Sequence, residues 1–251
     1  MHLLTVSVVI PVKDDAPSLE RCLAALKAQS HHPLEIVVVD DGSVDDSAAV
    51  ALANGARVVP SRGSGIPAAS ATGYDAAGGD ILARLDADCV PSPDWCERIV
   101  DAFAADESLA GLTGFATFHD GPRALRRILS TLYLAAYVAA VAPALGHAPL
   151  FGSNLAIRRS AWLRISDQVH RDDNLMHDDM DLSFHLGPER RIRLDRSVRM
   201  TMSYRPFTNA RAFVLRVRRG FHSVVAHWPQ ELPWKRWIRR IRSADSGTIT
   251  P

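Results

Sequence analysis

An α/β chain, with a mixed, mostly parallel sheet flanked by helices, is what the sequence predicts on three observations. Short β-branched apolar runs alternate with stretches of helical periodicity. Four runs in turn give way to polar residues, at Lys13-Asp14, Asp40-Asp41, Arg62 and Asp86-Ala87-Asp88. Alternation at this rhythm implies right-handed crossovers, which bring every strand's C-terminal end to one rim.

Each element has its own warrant. Val6-Ser7-Val8-Val9-Ile10-Pro11 predicts a first strand over residues 5–10, buried on both faces. Apolar residues at 19, 22, 23 and 26 make a helical stripe within residues 16–29, with Asp15 as N-cap. Residues 35–39 read as a second strand ending in Asp40-Asp41-Gly42-Ser43, from which Asp41 or Ser43 starts a helix through Leu52. A short strand over 57–60, an Ala-rich helix over 67–77 and a fourth strand over 81–85 follow. Residues 109–117 predict a strand returning across the sheet edge, and residues 192–202 a further strand.

With 251 residues, the chain makes one large domain or two small ones. An apolar share of 47% and a charged share of 23% are globular rather than disordered values. Cys22, Cys89 and Cys96 form neither a disulfide framework nor a zinc pattern, so a reducing compartment is expected. The apolar start is closed by Pro11 and Lys13, too early for a signal sequence. Charge is unevenly spread. Residues 1–188 hold 14 Lys and Arg against 24 Asp and Glu, whereas residues 189–242 hold 15 against 3. So basic a C-terminal fifth predicts an anionic partner.

Chemistry is expected where the fourth strand ends, at Asp86-Ala87-Asp88. Carboxylates at i and i+2 point the same way as a strand runs out, at the rim where open α/β sheets bind ligands. Adjacent hard oxygen donors repel unless a cation lies beside them. Mg²⁺, held through one or two carboxylates plus substrate phosphates, suits such a pair. Alone, Asp-x-Asp reads equally as a solvated turn.

Three stretches together carry a resemblance: Ser7-Val8-Val9-Ile10-Pro11-Val12-Lys13-Asp14, then Val37-Val38-Val39-Asp40-Asp41-Gly42-Ser43, then Gly79-Asp80-Ile81-Leu82 through Asp86-Ala87-Asp88. In order and spacing they resemble family 2 glycosyltransferases of the GT-A fold, over about residues 5–205. The resemblance implies transfer of a sugar, with inversion, from a UDP- or GDP-linked nucleotide-diphosphate sugar to a hydroxyl of a glycan or lipid-linked acceptor. Mg²⁺ or Mn²⁺ is the implied cofactor. It places Pro11, Val12 and Asp14 in the nucleotide-edge loop, and Asp40 with Asp41 where a carboxylate reads the nucleobase. A carboxylate accepting from a ring N–H favours uracil or guanine over cytosine. Asp41 has a competing reading as a helix cap. Asp86 and Asp88 match the metal pair, Asp88 in the direct ligand's place and Asp86 also facing the donor. Relatives often carry Ala-Arg-Asn-x-Gly before the fourth strand, whereas this chain has Ala69-Ser70-Ala71-Thr72-Gly73. Arg62 and Arg84 are candidates to replace that polar contact near the diphosphate, or are solvated surface arginines.

The second half adds the acceptor side. The segment from Phe151 to Trp162 resembles the stretch that crosses the acceptor cleft. Gly152 there allows close backbone approach, and Asn154 buttresses the acceptor or is a turn asparagine. His177-Asp178-Asp179-Met180-Asp181-Leu182 resembles the family's Glu-Asp-x-Asp-Leu motif at a helix N-terminus. Asp179 aligns with the base, and Asp178 stands where Glu is usual and suits capping. A hydroxyl is a poor nucleophile until its proton is being removed, and a helix N-terminus keeps the carboxylate ionised. Arg216 and Arg219 lie three apart on one helix face, where relatives meet the diphosphate. His222 is a candidate third metal ligand or a surface histidine. The Gln-x-x-Arg-Trp of polymerising members is absent, implying single transfers.

Residues 128–145 admit three readings: a membrane span, an interfacial or acceptor-side helix, or a cover on the core. Trp234, Trp237, Ile238 and Ile241 share one helical face amid five cations. This pattern suits an anionic membrane surface rather than nucleic acid. The expected organisation is a GT-A domain over 1–205, with a nucleotide-sugar half (1–117) and an acceptor half (118–205), a basic helical extension over 206–243 and a disordered tail over 244–251. The expected location is cytoplasmic, peripheral at the inner face of the cell membrane. A sugar-nucleotide nucleotidyltransferase needs a Gly-rich phosphate loop where Pro11-Val12-Lys13-Asp14 stands. An inactive membrane-associated scaffold is favoured only by the missing Arg-Asn after Ala69.

Overall fold

The computed structural model describes residues 3–187, 191–205 and 210–245. Strand β1 (Val6–Val12) takes the centre of its half of the sheet because it has no polar face. Val6, Val8, Ile10 and Val12 enter one core layer and Val9 enters the other. β1 pairs in parallel with β2 (Glu35–Asp40) on one side and β4 (Ile81–Leu85) on the other. Outside β2 lies β3 (Arg57–Pro60), also parallel.

Helices α1 (Ala16–Lys27), α2 (Ser47–Ala53) and α4 (Trp95–Ala104) cover one face. The predicted stripe of α1, Leu19, Cys22, Leu23 and Leu26, is fully buried. Helices α3 (Ile66–Ala76), α6 (Arg159–Ile165) and α7 (Asp178–Leu186) cover the other. α3 is rich in small residues because it lies almost against the sheet. A Cβ on Gly73 would stand 2.3 Å from Val9 Cγ1 and 2.9 Å from Val39 Cγ2.

Two helix starts differ from expectation. Asp15 precedes α1 without a side-chain cap bond, and Asp45 instead accepts from the Ala16 N–H at 2.9 Å. α2 begins at Ser47 behind Asp46, so neither Asp41 nor Ser43 starts it. Their polar atoms are committed to the loops at the rim.

The sheet's second half departs from parallel order. Its strands run β3-β2-β1-β4-β7-β6-β8-β5, with β5 (Val90–Pro91), β6 (Leu109–Phe118), β7 (Asn154–Arg158) and β8 (Arg191–Met202). β7 is antiparallel to both β4 and β6. β6 is therefore an inner strand, not the predicted edge, because β8 pairs along its outer side. The register sets Leu85 opposite Asn154, so β7 begins where β4 ends.

Helix α5 (Arg126–Leu145) is long and apolar enough to cross a membrane. In this fold one side of it packs on the core through Leu134, Val141 and Leu145, while Ile128 and Leu132 are exposed. Basic helices α8 (Ala210–Val225) and α9 (Pro233–Asp245) close the described chain. Arg236 is one of the five cations around the Trp-Ile face of α9. It is buried, donating to the carbonyls of Leu145 at 2.6 Å and Phe184 at 3.2 Å. α9 runs through Asp245, so residues 244 and 245 of the expected tail (244–251) are helical, and residues 246–251 lie outside the described residues.

Candidate active site

The polar rim is built on the end of β4. Arg84 sits in an otherwise apolar strand and is 2% exposed. Its guanidinium spans two acids, Asp86 at 2.9 Å and Asp178 at the start of α7. Asp86 accepts a second bond, from Ser153 Oγ at 2.6 Å, which the β4–β7 register brings alongside. The Cys89 N–H closes the turn on the Asp86 carbonyl at 3.0 Å. Asp88 Oδ2 accepts from Arg205 at 2.8 Å, and Arg205 also reaches Asp15 at 2.6 Å. Burial pushes the Asp88 carboxyl above the usual carboxylate range; Asp86 adds to the shift and Arg205 opposes it. Oδ1 of Asp88 faces the weakly donating Cys89 thiol at 3.8 Å. A turn that disfavours its own second charge, with an oxygen in so weak a bond, fits a hard divalent cation.

The first two strand ends are knitted together. Asp14, at φ 51°, accepts from the Val44 N–H at 2.7 Å, while its own N–H donates to Ser43 Oγ at 3.1 Å. Asp40 accepts from the Ser43 N–H at 2.9 Å. Asp41 accepts from the Gly65 N–H at 3.0 Å and lies 3.7 Å from Lys13 Nζ. Pro11 stands at the rim, whereas Val12 is turned into the core. The exposed Arg62 guanidinium approaches Asp75 at 4.0 Å.

On the facing side, Asp179 is 8% exposed. Its Oδ2 accepts from the Gly152 N–H at 2.8 Å and from Tyr137 Oη at 3.2 Å. Oδ1 accepts from the Met180 N–H at 2.8 Å. Burial holds the Tyr137 hydroxyl well above its ordinary range, so it stays a donor. A Cβ on Gly152 would lie 3.2 Å from both Arg84 Nη1 and Asp179 Oδ2, so a larger residue would crowd both. Asp178 does not cap α7; burial raises its carboxyl and the Arg84 guanidinium opposes that shift.

Three expectations need correction. Asn154 is fully buried, accepting from Trp95 Nε1 at 2.8 Å and donating to the carbonyls of Phe115 and Val198 at 3.1 Å. It braces strands and touches no cleft. His222 Nε2 lies 2.6 Å from an Asp173 carboxylate oxygen, so in this structure that nitrogen is engaged by Asp173 rather than by Asp86 or Asp88. Arg84 is no surface arginine. Arg216 sits beside the Tyr133 hydroxyl, and its carbonyl lies 3.0 Å from His177 Nε2 at the start of α7. Arg219 is on the same helix, half-buried.

Sequence reasoning missed Ser153, Tyr137, Arg205 and the bridging part of Arg84. Only Arg84 had a visible signal, a lone charge inside the apolar run Ile81-Leu82-Ala83-Arg84-Leu85.

Comparison with known proteins agrees with this architecture. A mannosyltransferase from Pyrobaculum calidifontis, solved with GDP-Man and Mn²⁺, superposes with a TM-score of 0.66 at 20% identity, covering 98% of this chain and 71% of that one. A glucosyl-3-phosphoglycerate synthase from Mycobacterium tuberculosis, solved with Mn²⁺ and UDP-glucose, gives 0.64 at 21% identity, covering 89% and 78%. These likenesses give the GT-A fold. An undecaprenyl-phosphate 4-deoxy-4-formamido-L-arabinose transferase from Pseudomonas fluorescens is 34% identical over 173 residues, 64% of this chain and 44% of that protein. The glycosyltransferase AglE of Haloferax volcanii is 36% identical over 107 residues, 39% of this chain and 35% of its own. The chain thus spans less than half the length of either relative. The model of the family described as glycosyl transferase family 2 matches residues 7–163, the stretch holding the rim, the acid turn and the Gly152 segment. By that match, which takes in well over half of its residues, the chain belongs to glycosyl transferase family 2.

Proposed function

We propose that the protein transfers a sugar, with inversion, from a nucleotide-diphosphate sugar to a hydroxyl of a lipid-linked or glycan acceptor, with Mg²⁺ or Mn²⁺. The observation that carries this reading is the Arg84 bridge. By binding Asp86 and Asp178 at once, it ties the acid turn to the start of α7, next to Asp179, which supports that reading. Asp88, with Asp86 beside it, would hold the metal, which supplies Lewis-acid stabilisation of the departing diphosphate. Asp40 and Asp41, backed by Asp14 and Pro11, read the base. Arg216 and Arg219 meet the charge developing on the leaving group. Asp179, held by Gly152 and Tyr137, takes the acceptor proton as the hydroxyl attacks the anomeric carbon.

Support for the donor class comes from the two structurally similar proteins, solved with UDP-glucose and with GDP-Man in the presence of Mn²⁺. Support for a lipid-linked acceptor comes from the undecaprenyl-phosphate transferase relative. A peripheral membrane position is favoured by Trp234, Trp237, Ile238 and Ile241, all exposed on α9, and by Phe213, Val214, Val217 and Phe221 on α8. Thermal unfolding against a panel of UDP- and GDP-sugars, with and without Mn²⁺, tests the reading. Protection by one nucleotide class that requires the metal is expected. Equal melting across the whole panel would overturn it.

A further inference from the structure

Four metal-ligating side chains meet behind the candidate active site. His170 lies in the loop before α7, Asp181 and His185 are one turn apart on α7, and His227 follows α8. One ligand atom from each lies within 4.8 Å of all the others. Three ring nitrogens converge on one oxygen, Asp181 Oδ1: His170 Nδ1 at 2.8 Å, His227 Nε2 at 3.0 Å and His185 Nε2 at 3.3 Å.

Hydrogen bonding cannot satisfy this arrangement with neutral rings. His227 Nδ1 lies 2.7 Å from the Ser223 carbonyl, which only accepts, so Nδ1 carries the proton. The Nε2 lone pair of the neutral ring then points at a carboxylate oxygen. His185 Nε2 is buried and, although 3.3 Å from Asp181 Oδ1, is not aligned to make a hydrogen bond with it. A single cation among the four atoms answers both problems. Around tetrahedral Zn²⁺, bonds of about 2.0–2.1 Å put neighbouring ligand atoms about 3.3 Å apart. The nitrogen–oxygen separations of 2.8 to 3.3 Å approach that geometry.

The surroundings are those of a metal centre. His227 donates its second nitrogen to a backbone carbonyl, and Asp181 Oδ2 accepts from the His170 N–H at 2.7 Å. Phe184 stacks on the His227 ring at 4.0 Å. Asp181 and His227 are buried, while the His170 side chain is 39% exposed and gives an ion a way in.

We propose that His170, Asp181, His185 and His227 form a zinc site, separate from the acid turn, that fastens the basic helix α8 to α7. Three imidazoles and one carboxylate favour zinc over Mg²⁺ or Mn²⁺, and four protein ligands make the site structural. The site therefore differs in donor chemistry from the Asp86–Asp88 turn, and its existence does not depend on the proposed transfer reaction.

The test loads the whole chain with Co²⁺ as a spectroscopic probe for zinc. The intense visible absorption of tetrahedral cobalt is expected at about one equivalent per chain. Zn²⁺ should displace it, and chelation should lower the melting temperature. His185→Gln and His227→Gln should each lose the absorption and the response to chelator. His170→Gln, at the half-exposed ligand, carries the same test if the buried variants do not fold. Asp88→Asn should retain both signals. The proposal is overturned if wild-type protein shows no such absorption and its melting ignores chelator, as a proton-held cluster would. Loss of the signal in Asp88→Asn, or its retention in His170→Gln, would also overturn it.

Discussion

Arg84, itself buried, joins two partly buried carboxylates, Asp86 and Asp178, that would otherwise repel each other. Arg84→Ala leaves the partly buried Asp178 without its counter-ion, and the fully buried limit of about 3–5 kcal/mol is the upper bound of the cost. Denaturant unfolding should show a loss up to that bound, and a stability within about 0.5 kcal/mol of wild type would contradict the bridge. Asp179→Asn keeps the shape but removes the proposed proton acceptor. Metal-dependent protection by donor should persist, while transfer falls by about 10²-fold or more in a single-turnover assay. Near-normal turnover would remove Asp179 from the chemistry. Tyr137→Phe, which deletes one donor to Asp179, should cost less than Asp179→Asn.

Helix α9 is amphipathic in an uncommon way. Its inward face is anchored by one guanidinium as well as by apolar packing, because Arg236 satisfies the last carbonyls of α5 and α7. Trp234, Trp237, Ile238 and Ile241 remain outside. Changing Trp234 and Ile241 to Ser should weaken binding to anionic vesicles by about tenfold or more, with the fold intact. Unchanged vesicle co-sedimentation would end the surface-binding reading. The same contact makes a pH-sensitive joint. His147 Nε2 lies 3.2 Å from Arg236 Nη2, and burial, then the nearby arginines, hold His147 down to about 4. Its neutral form is the one the fold prefers. That preference contributes fully above the unfolded value of about 6.5 and fades as pH falls toward 4, by up to about 3 kcal/mol. Melting curves of wild type and His147→Gln should diverge above that window and converge below it; a constant offset would exclude the effect.

Across the whole molecule, legibility followed burial. β1, β2 and β4 are buried on both faces, so they appear as unbroken β-branched runs, and α1 shows its stripe because only one side of it is wet. β6 was placed at the sheet edge because its outer partner, β8, lies some eighty residues on and leaves no local trace. The acceptor reading of Asn154 and the surface reading of Arg84 fail for a related reason. A polar side chain inside a strand looks like solvent exposure until the groups that satisfy it are brought from distant segments. The convergence of His170, Asp181, His185 and His227 was likewise invisible, since only the spacing of Asp181 and His185 is local.

The reversed direction of β7 has a wider consequence. Had it run with its neighbours, its first residue would lie at the far border of the sheet, and Ser153 could not meet Asp86. Because it runs backwards, the stretch between β6 and β7 leaves and re-enters the sheet on the same border. That stretch, which includes all of α5, therefore starts and finishes beside the acid turn, and on its way it delivers Tyr137 to Asp179.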